Sequence, residues 1–106
     1  MQLPQVIADY FAAANTDDAD RVAACFADDA VVRDEGRDVC GRSAVRDWAQ
    51  ETRRKYRYHA EVRTAEAAAD HTIITAYLTG DFPGSPIDLR YRFKLAGGKI
   101  AALEIG

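Results

Sequence analysis

Phe26-Ala27-Asp28-Asp29-Ala30-Val31-Val32-Arg33-Asp34-Glu35-Gly36 is the stretch on which the reading of this chain turns. It predicts the end of a helix, a tight acidic turn, a short strand, and a glycine where the strand gives out. Asp28 and Asp29 suit a turn because short acidic side chains hydrogen-bond nearby backbone N–H groups. Val31 and Val32 are β-branched and favour the pleated conformation. Side chains alternate along a strand, so Val32 and Asp34 share one face while Val31, Arg33 and Glu35 share the other. With Val32 in the core, Asp34 lies at the inner end of the same row, a carboxylate at the mouth of an apolar interior.

Working outward from this stretch, the N-terminal side reads as two helices. Leu3, Val6, Ile7, Tyr10, Phe11 and Ala14 recur at spacings of three and four, one face of a helix that begins with Pro4 in its first turn and ends near Asn15. A shorter helix follows, with Thr16 or Asp17 as its N-cap and Ala19, Val22, Ala23 and Phe26 as its apolar stripe. On the C-terminal side, Arg37–Gly41 reads as a charged loop. A third helix is expected over Ser43–Arg54, capped by Ser43, with Val45, Trp48, Ala49 and Thr52 inward.

From Tyr56 onward the period changes to two, the mark of strands. Tyr58, Ala60, Val62 and Thr64 form one row. Ile74, Ala76 and Leu78 form another within His71–Phe82, after a turn at Ala69-Asp70. Pro83-Gly84 signals a turn. Ile87, Leu89, Tyr91, Phe93 and Leu95 then alternate with Asp88, Arg90, Arg92 and Lys94, and Gly97-Gly98 leads into a last strand, Lys99–Ile105. This order predicts an α+β fold, a cone-shaped curved antiparallel sheet with three helices from the N-terminal half on its concave face. Three short helices do not fill a curved sheet, and the space left over is a natural ligand site. Tyr10, Val32, Asp34, Trp48, Leu89, Tyr91 and Phe93 are the residues expected around it.

A length of 106 residues gives one domain, 1–106, with room for a single core. A net charge of −3 argues against nucleic acid or an acidic membrane surface as partner. No apolar run reaches the length of a membrane span, and no basic segment followed by an apolar one opens the chain, so the cytoplasm is the expected compartment. Cys25 and Cys40 form neither a metal spacing nor a CxxC motif and read as reduced thiols. There is no glycine-rich phosphate loop, no metal signature and no nucleophile motif, so no cofactor and no metal are expected. His59 and His71 are isolated and read as surface or strand-edge residues. Arg90, Arg92 and Lys94 read as the solvated or subunit-facing side of the sheet, paired with Asp88, Glu61 or Glu104.

The order of elements and particular residues resemble the nuclear transport factor 2-like superfamily, with its SnoaL-like and ketosteroid isomerase-like domains. The resemblance rests on Tyr10-Phe11, Phe26-Ala27-Asp28-Asp29-Ala30, Val32-Arg33-Asp34, the run Gly41-Arg42-Ser43-Ala44-Val45-Arg46-Asp47-Trp48, and the closing Gly98-Lys99-Ile100. It covers nearly the whole chain and is specific for the fold, whereas members do unrelated chemistry. It implies that Asp34 matches the isomerases' proton-abstracting aspartate and Tyr10 their oxyanion-stabilising tyrosine. The place of the isomerases' second oxyanion donor, a protonated aspartic acid on a later strand, falls on Leu89 here. Glu35 replaces a proline common after the aspartate, and the chain ends at Gly106, where many relatives extend the final strand across the pocket.

The resemblance also implies a homodimer and a small hydrophobic ligand, held by Val32, Trp48, Leu89, Tyr91 and Phe93. Two function classes follow. One is a cofactor-independent isomerase, cyclase or dehydratase with Asp34 as base and Tyr10 as oxyanion donor. The other is a non-catalytic protein-interaction or structural dimeric domain. Each residue keeps a plainer reading as well: Asp34 capping a turn or paired with Arg33, Arg37 or Arg42, Tyr10 as a core tyrosine bonded to Asp34, and Trp48 as packing.

Overall fold

The structure, a computed structural model, describes residues 3–106. In chain order these form α1 (Gln5–Asn15), α2 (Ala19–Ala24), β1 (Phe26–Asp34), β2 (Arg37–Cys40), α3 (Arg42–Tyr56), β3 (His59–Ala68), β4 (His71–Thr79), β5 (Ile87–Ala96) and β6 (Lys99–Ile105). The strands make one six-stranded sheet in the order β2-β1-β6-β5-β4-β3. The three helices precede or interrupt its first strands, so the α+β fold expected from the sequence is the fold observed.

The sheet is mostly antiparallel, as expected, with one parallel pair, β1 with β6. β3 to β6 form the expected antiparallel meander. β1 comes from the other end of the chain, and the helices and strands between them allow the two to align in the same direction.

The decisive stretch is more extended than its sequence suggests. α2 ends at Ala24, and Asp28 and Asp29 lie within β1 rather than in a turn. They protrude from a bulge, in which Phe26 to Val31 of β1 advance only from Ile100 to Ala102 of β6. A bulge leaves backbone groups unpaired. Here the Arg42 guanidinium supplies the missing donors, bonding the Phe26 carbonyl at 2.7 and 3.1 Å and Asp28 Oδ1 at 2.8 Å.

The expected loop after Gly36 is a strand as well. β1 and β2 form a hairpin closed by Glu35-Gly36, with φ of 53° and 74°, the positive pair that matches strand twist in a two-residue turn. Val39 faces inward and is half-buried, which draws this short strand onto the sheet.

Helix starts also differ from expectation. Asp17 takes a φ of 57° in the turn after α1, a conformation that aspartate tolerates, so the cap of α2 passes to Asp18, which accepts from the Arg21 N–H at 3.1 Å. α3 is preceded by Gly41, not capped by Ser43, because the Gly41 N–H is tied to the Ala30 carbonyl at 2.8 Å. It also runs on to Tyr56, with Arg53, Arg54 and Lys55 at the negative end of its dipole. β4 stops at Thr79, short of Phe82. Gly80 passes so close to Tyr56 and Tyr58 that the strand turns away there.

The core is built from Ile7, Tyr10, Phe11 and Ala14 of α1, Val45 and Trp48 of α3, and the inward rows of the strands. Burying each large apolar side chain stabilises by about 1.5–3 kcal/mol, which is what holds these short helices to the sheet. A bulge between Val62 and Thr64 shifts the alternation of β3, so Ala65 rather than Thr64 faces the core. The other face of the sheet carries Arg33, Arg92 and Lys94, paired with Asp38, Glu104 and Asp70 respectively. No described helix is long and apolar enough to cross a membrane.

Candidate functional site

The concave face encloses a cavity of about 470 Å³. Its lower wall is Tyr10 of α1, Trp48 of α3, Tyr58 just before β3 and Tyr91 of β5. Leu78, Phe82, Pro83, Ile87, Leu89 and Ile105 give the upper, apolar wall, and Asp34 and Glu35 close one side from the β1–β2 hairpin. β5 records the depth directly, with Phe93 fully buried, Tyr91 3% exposed, Leu89 half-buried and Ile87 40% exposed at the rim.

Five of the seven residues expected around the cavity therefore line it: Tyr10, Asp34, Trp48, Leu89 and Tyr91. Val32 and Phe93, also expected around the cavity, do not line it; both are 0% exposed in the core beneath. Each lies one pleat repeat deeper than its lining neighbour, Asp34 or Tyr91, about 6–7 Å along the strand. The Tyr10 ring stands edge-on to Phe93, with centroids 5.5 Å apart, and to Tyr91 at 6.4 Å. It forms the cavity floor above Phe93.

Asp34 owes its position to the hairpin. As the last residue of β1 it pairs with Arg37 across the two-residue turn, and the strand's alternation points it to the same side as Val32. Trp48 Nε1 then donates to Asp34 Oδ2 at 3.0 Å. Trp48 was expected as a cavity wall or as packing, not as a partner of Asp34, and this bond is the main addition of the structure to the site. The Asp34 carboxyl is raised above its usual pKa, chiefly by burial; the Trp48 hydrogen bond pulls it down, Glu35 pushes it up, and Arg37 and the Glu35 backbone N–H pull it down.

The expected ion pairs to Arg33 and Arg42 are not made. Arg33 lies on the opposite face and bonds Asp38 at 2.9 Å, while Arg42 is committed to the β1 bulge. Tyr10 likewise makes no hydrogen bond to Asp34; its hydroxyl is not among the sealed, partnerless polar atoms either.

Four tyrosines line the cavity with Asp34, and three of them, Tyr10, Tyr58 and Tyr91, are buried. Burial raises Tyr10 well above the ordinary tyrosine value, with Tyr58, Tyr91 and Asp34 adding to the shift. Burial pushes Tyr58 up to about 12, opposed by Arg53 and assisted by Asp34. Tyr91 is raised by burial, then by Tyr58 and Asp34. All three are therefore neutral hydroxyls at neutral pH, able to donate hydrogen bonds. Tyr58 was legible as an inward residue of its strand. Only the tertiary structure sets it beside Tyr10 and Tyr91.

A smaller polar recess of about 100 Å³ lies on the solvent side of Asp34 and Trp48, lined also by Arg37, Glu51 and Lys55. The Tyr56 hydroxyl bonds Glu35 at its edge, and Lys55 Nζ stands 4.0 Å from the same carboxylate. Among the described residues no cluster of His, Cys, Asp or Glu is arranged to hold a metal ion. The site offers one half-buried carboxylate, neutral phenolic donors and an apolar enclosure.

Known structures with the same fold are numerous. A proposed polyketide cyclase from Sinorhizobium meliloti is 38% identical, covering 98% of this chain and 95% of that one, with a TM-score of 0.94. A protein of ketosteroid isomerase-like fold from Catenulispora acidiphila, solved in complex with trimethylamine, has a TM-score of 0.87 at 21% identity, over 99% of this chain and 86% of that one. A proposed ketosteroid isomerase from Kribbella flavida has a TM-score of 0.81 at 15% identity, over 96% and 74% of the two chains. No curated protein matches the chain. The SnoaL-like domain family matches residues 7–103. With that match and the 38% identical relative, this chain belongs to the SnoaL-like domain family and has the ketosteroid isomerase-like, nuclear transport factor 2-like fold.

Proposed function

We propose that the cavity binds a small, largely apolar carbonyl compound and that Asp34 moves a proton on it without a cofactor, as an isomerase, cyclase or dehydratase. The observation that carries this reading is the Asp34 carboxylate, half-buried, held by Trp48 and made more basic by its burial. It takes a proton from the carbon beside the carbonyl, and the developing enolate oxygen accepts from the Tyr10 hydroxyl. Leu89 supplies no second donor where the isomerases have an acid. Tyr58 and Tyr91 lie in the same wall and are suited to that part. The cyclase and isomerase names of the relatives support this class, and the trimethylamine complex supports a small guest.

Leu89 also favours a second reading, a cavity that binds without turnover. Trp48, the one tryptophan of the chain, separates these possibilities. Its fluorescence is followed while ketones and phenols are titrated into wild type and Tyr10→Phe. Saturable change that weakens in the variant supports a ligand beside Tyr10; silence across the panel in folded protein removes the carbonyl ligand. Turnover that collapses in Asp34→Asn while binding persists identifies the base, and turnover that survives the change rules it out.

We further propose a homodimer through the outer face of the sheet, in the cytoplasm. The charged pairs of that face make the interface polar and sensitive to salt. Sedimentation at low and high salt tests it, with a monomer at both as the contrary result.

A further inference from the structure

The charges of the cavity are all of one sign. Asp34 and Glu35 carry its only ionisable side chains apart from the tyrosines, and no Arg, Lys or His belongs to its described lining. Nearby cations are turned outward. Lys55 and Arg37 line the polar recess on the other side of Asp34, and Arg53 lies behind Tyr58, its Nη1 donating to the Tyr58 carbonyl. Its guanidinium carbon is 5.4 Å from the Tyr58 ring centroid.

Glu35 has the Lys55 ammonium 4.0 Å away as an opposing charge and accepts from the Tyr56 hydroxyl. Asp34 has no salt-bridge partner among the described residues, and Trp48 donates to only one of its oxygens. A half-buried carboxylate in an apolar wall retains a strong field, because little water screens it. That field reaches Tyr10, Tyr58 and Tyr91, each of which holds its proton more tightly on account of Asp34. An anionic guest is opposed by the same field. A positive one is attracted both by the carboxylate and by electron-rich aromatic walls.

We propose that the ligand of this cavity carries a positive charge, a small alkylated ammonium group seated among Tyr10, Trp48, Tyr58 and Tyr91 with Asp34 as its counter-ion. This rests on the small-ligand reading above and names the chemical class; it does not depend on turnover. Cation binding lowers the affinity of Asp34 for its proton, so binding tightens as pH rises through the titration of that carboxyl. Glu35 and Arg37 from the hairpin, Glu51 and Lys55 from α3, and the three tyrosines are the other groups near enough to modulate it.

The test uses choline and 3,3-dimethylbutan-1-ol, which share a shape and differ in the charge. Each is titrated into the full chain at matched ionic strength, read by Trp48 fluorescence and by calorimetry. We expect choline to bind about tenfold or more tightly than the alcohol at neutral pH. The preference should fall as pH is lowered through the Asp34 titration, and vanish in Asp34→Asn. Equal or weaker binding of choline by wild type overturns the charge assignment, and needs no variant. If the alcohol or a ketone saturates while choline does not, the small-ligand reading stands and this inference falls. If none of the three classes saturates, both fall. A preference for choline that survives in folded Asp34→Asn removes Asp34 as the counter-ion.

Discussion

Trp48 Nε1 and Asp34 Oδ2 lie 3.0 Å apart, joining the middle of α3 to the last residue of β1. The bond fixes the carboxylate at the cavity wall and ties the hairpin to the helix that covers the sheet. It is a hydrogen bond to a charged acceptor, the stronger kind.

Trp48→Phe keeps an aromatic ring and removes this donor. We expect the Asp34 pKa to rise further, because the Trp48 hydrogen bond is the largest of the contributions that lower it. We also expect a stability loss of about 1–3 kcal/mol at neutral pH, the usual cost of losing a hydrogen bond to a charged group. Carbon-13 NMR titration of the Asp34 carboxyl and urea denaturation measure the two effects. An unchanged pKa would remove the indole as the group that positions Asp34.

Asp34 should lower stability at neutral pH. Its folded pKa is raised, so the native state binds the proton more tightly than the unfolded chain does. Stability therefore falls as pH rises from the unfolded carboxyl value through the folded one. Asp34→Asn keeps an acceptor for Trp48 and removes the charge. We expect it to raise stability at neutral pH by about 0.5–2 kcal/mol, the common scale of gains made where function is given up. The gain should shrink below the unfolded pKa, where wild-type Asp34 is protonated in both states. Thermal melts across that range read the difference.

Gly80→Ala tests the close approach at the end of β4. The added Cβ would lie 2.8 Å from the Tyr56 carbonyl oxygen and 2.9 Å from the Tyr58 Cα, both backbone atoms. Neither can move without shifting the α3–β3 connection that carries Tyr56 and Tyr58 into the cavity. A loss of about 1–3 kcal/mol is expected from such overpacking, together with weaker ligand binding. A variant as stable as wild type by chemical denaturation would contradict the packing there.

Asn15→Ala tests how the edge of the sheet is closed. β3 is the last strand in the order, and the Asn15 side chain bonds both main-chain groups of Ala60, donating to its oxygen at 2.8 Å and accepting from its nitrogen at 2.9 Å. The amide acts as a one-residue strand on an otherwise open edge. Its removal leaves two part-buried backbone groups unpaired, at a cost of about 1–3 kcal/mol each where water cannot reach them. Faster amide exchange at Ala60 than at its β4 partner Leu78 would accompany the loss; unchanged exchange would contradict the role.

The strands beyond Tyr56 were legible because their inner rows are chosen by burial and alternate over most of their length, the bulge of β3 after Val62 being the place where the pattern misleads. Ile74, Ala76 and Leu78 carry the signal in β4, and Tyr91 and Phe93 carry it in β5. α1 was legible for the same reason at the helical period. The acidic pair of β1 was not. Asp28 and Asp29 have turn chemistry, and they use it in a bulge whose exposed carbonyl is satisfied by Arg42, a residue on a later helix. The hairpin at Glu35-Gly36 was hidden because glutamate is an unusual occupant of a left-handed corner.

The sequence by itself determined the class of fold, the inward direction of Asp34, and the placing of Tyr10 and Tyr91 on buried faces. Those properties follow from local periodicity and from the β-branched and aromatic residues that enforce it. Which inward residues line the cavity and which lie beneath was decided by the tertiary structure alone, since Val32 and Phe93 differ from Asp34 and Tyr91 only in depth. The Trp48–Asp34 bond and the exclusion of Arg42 and Arg53 from the cavity were decided there too. Each depends on how α3 lies across the sheet, a relationship between distant segments that no local pattern encodes.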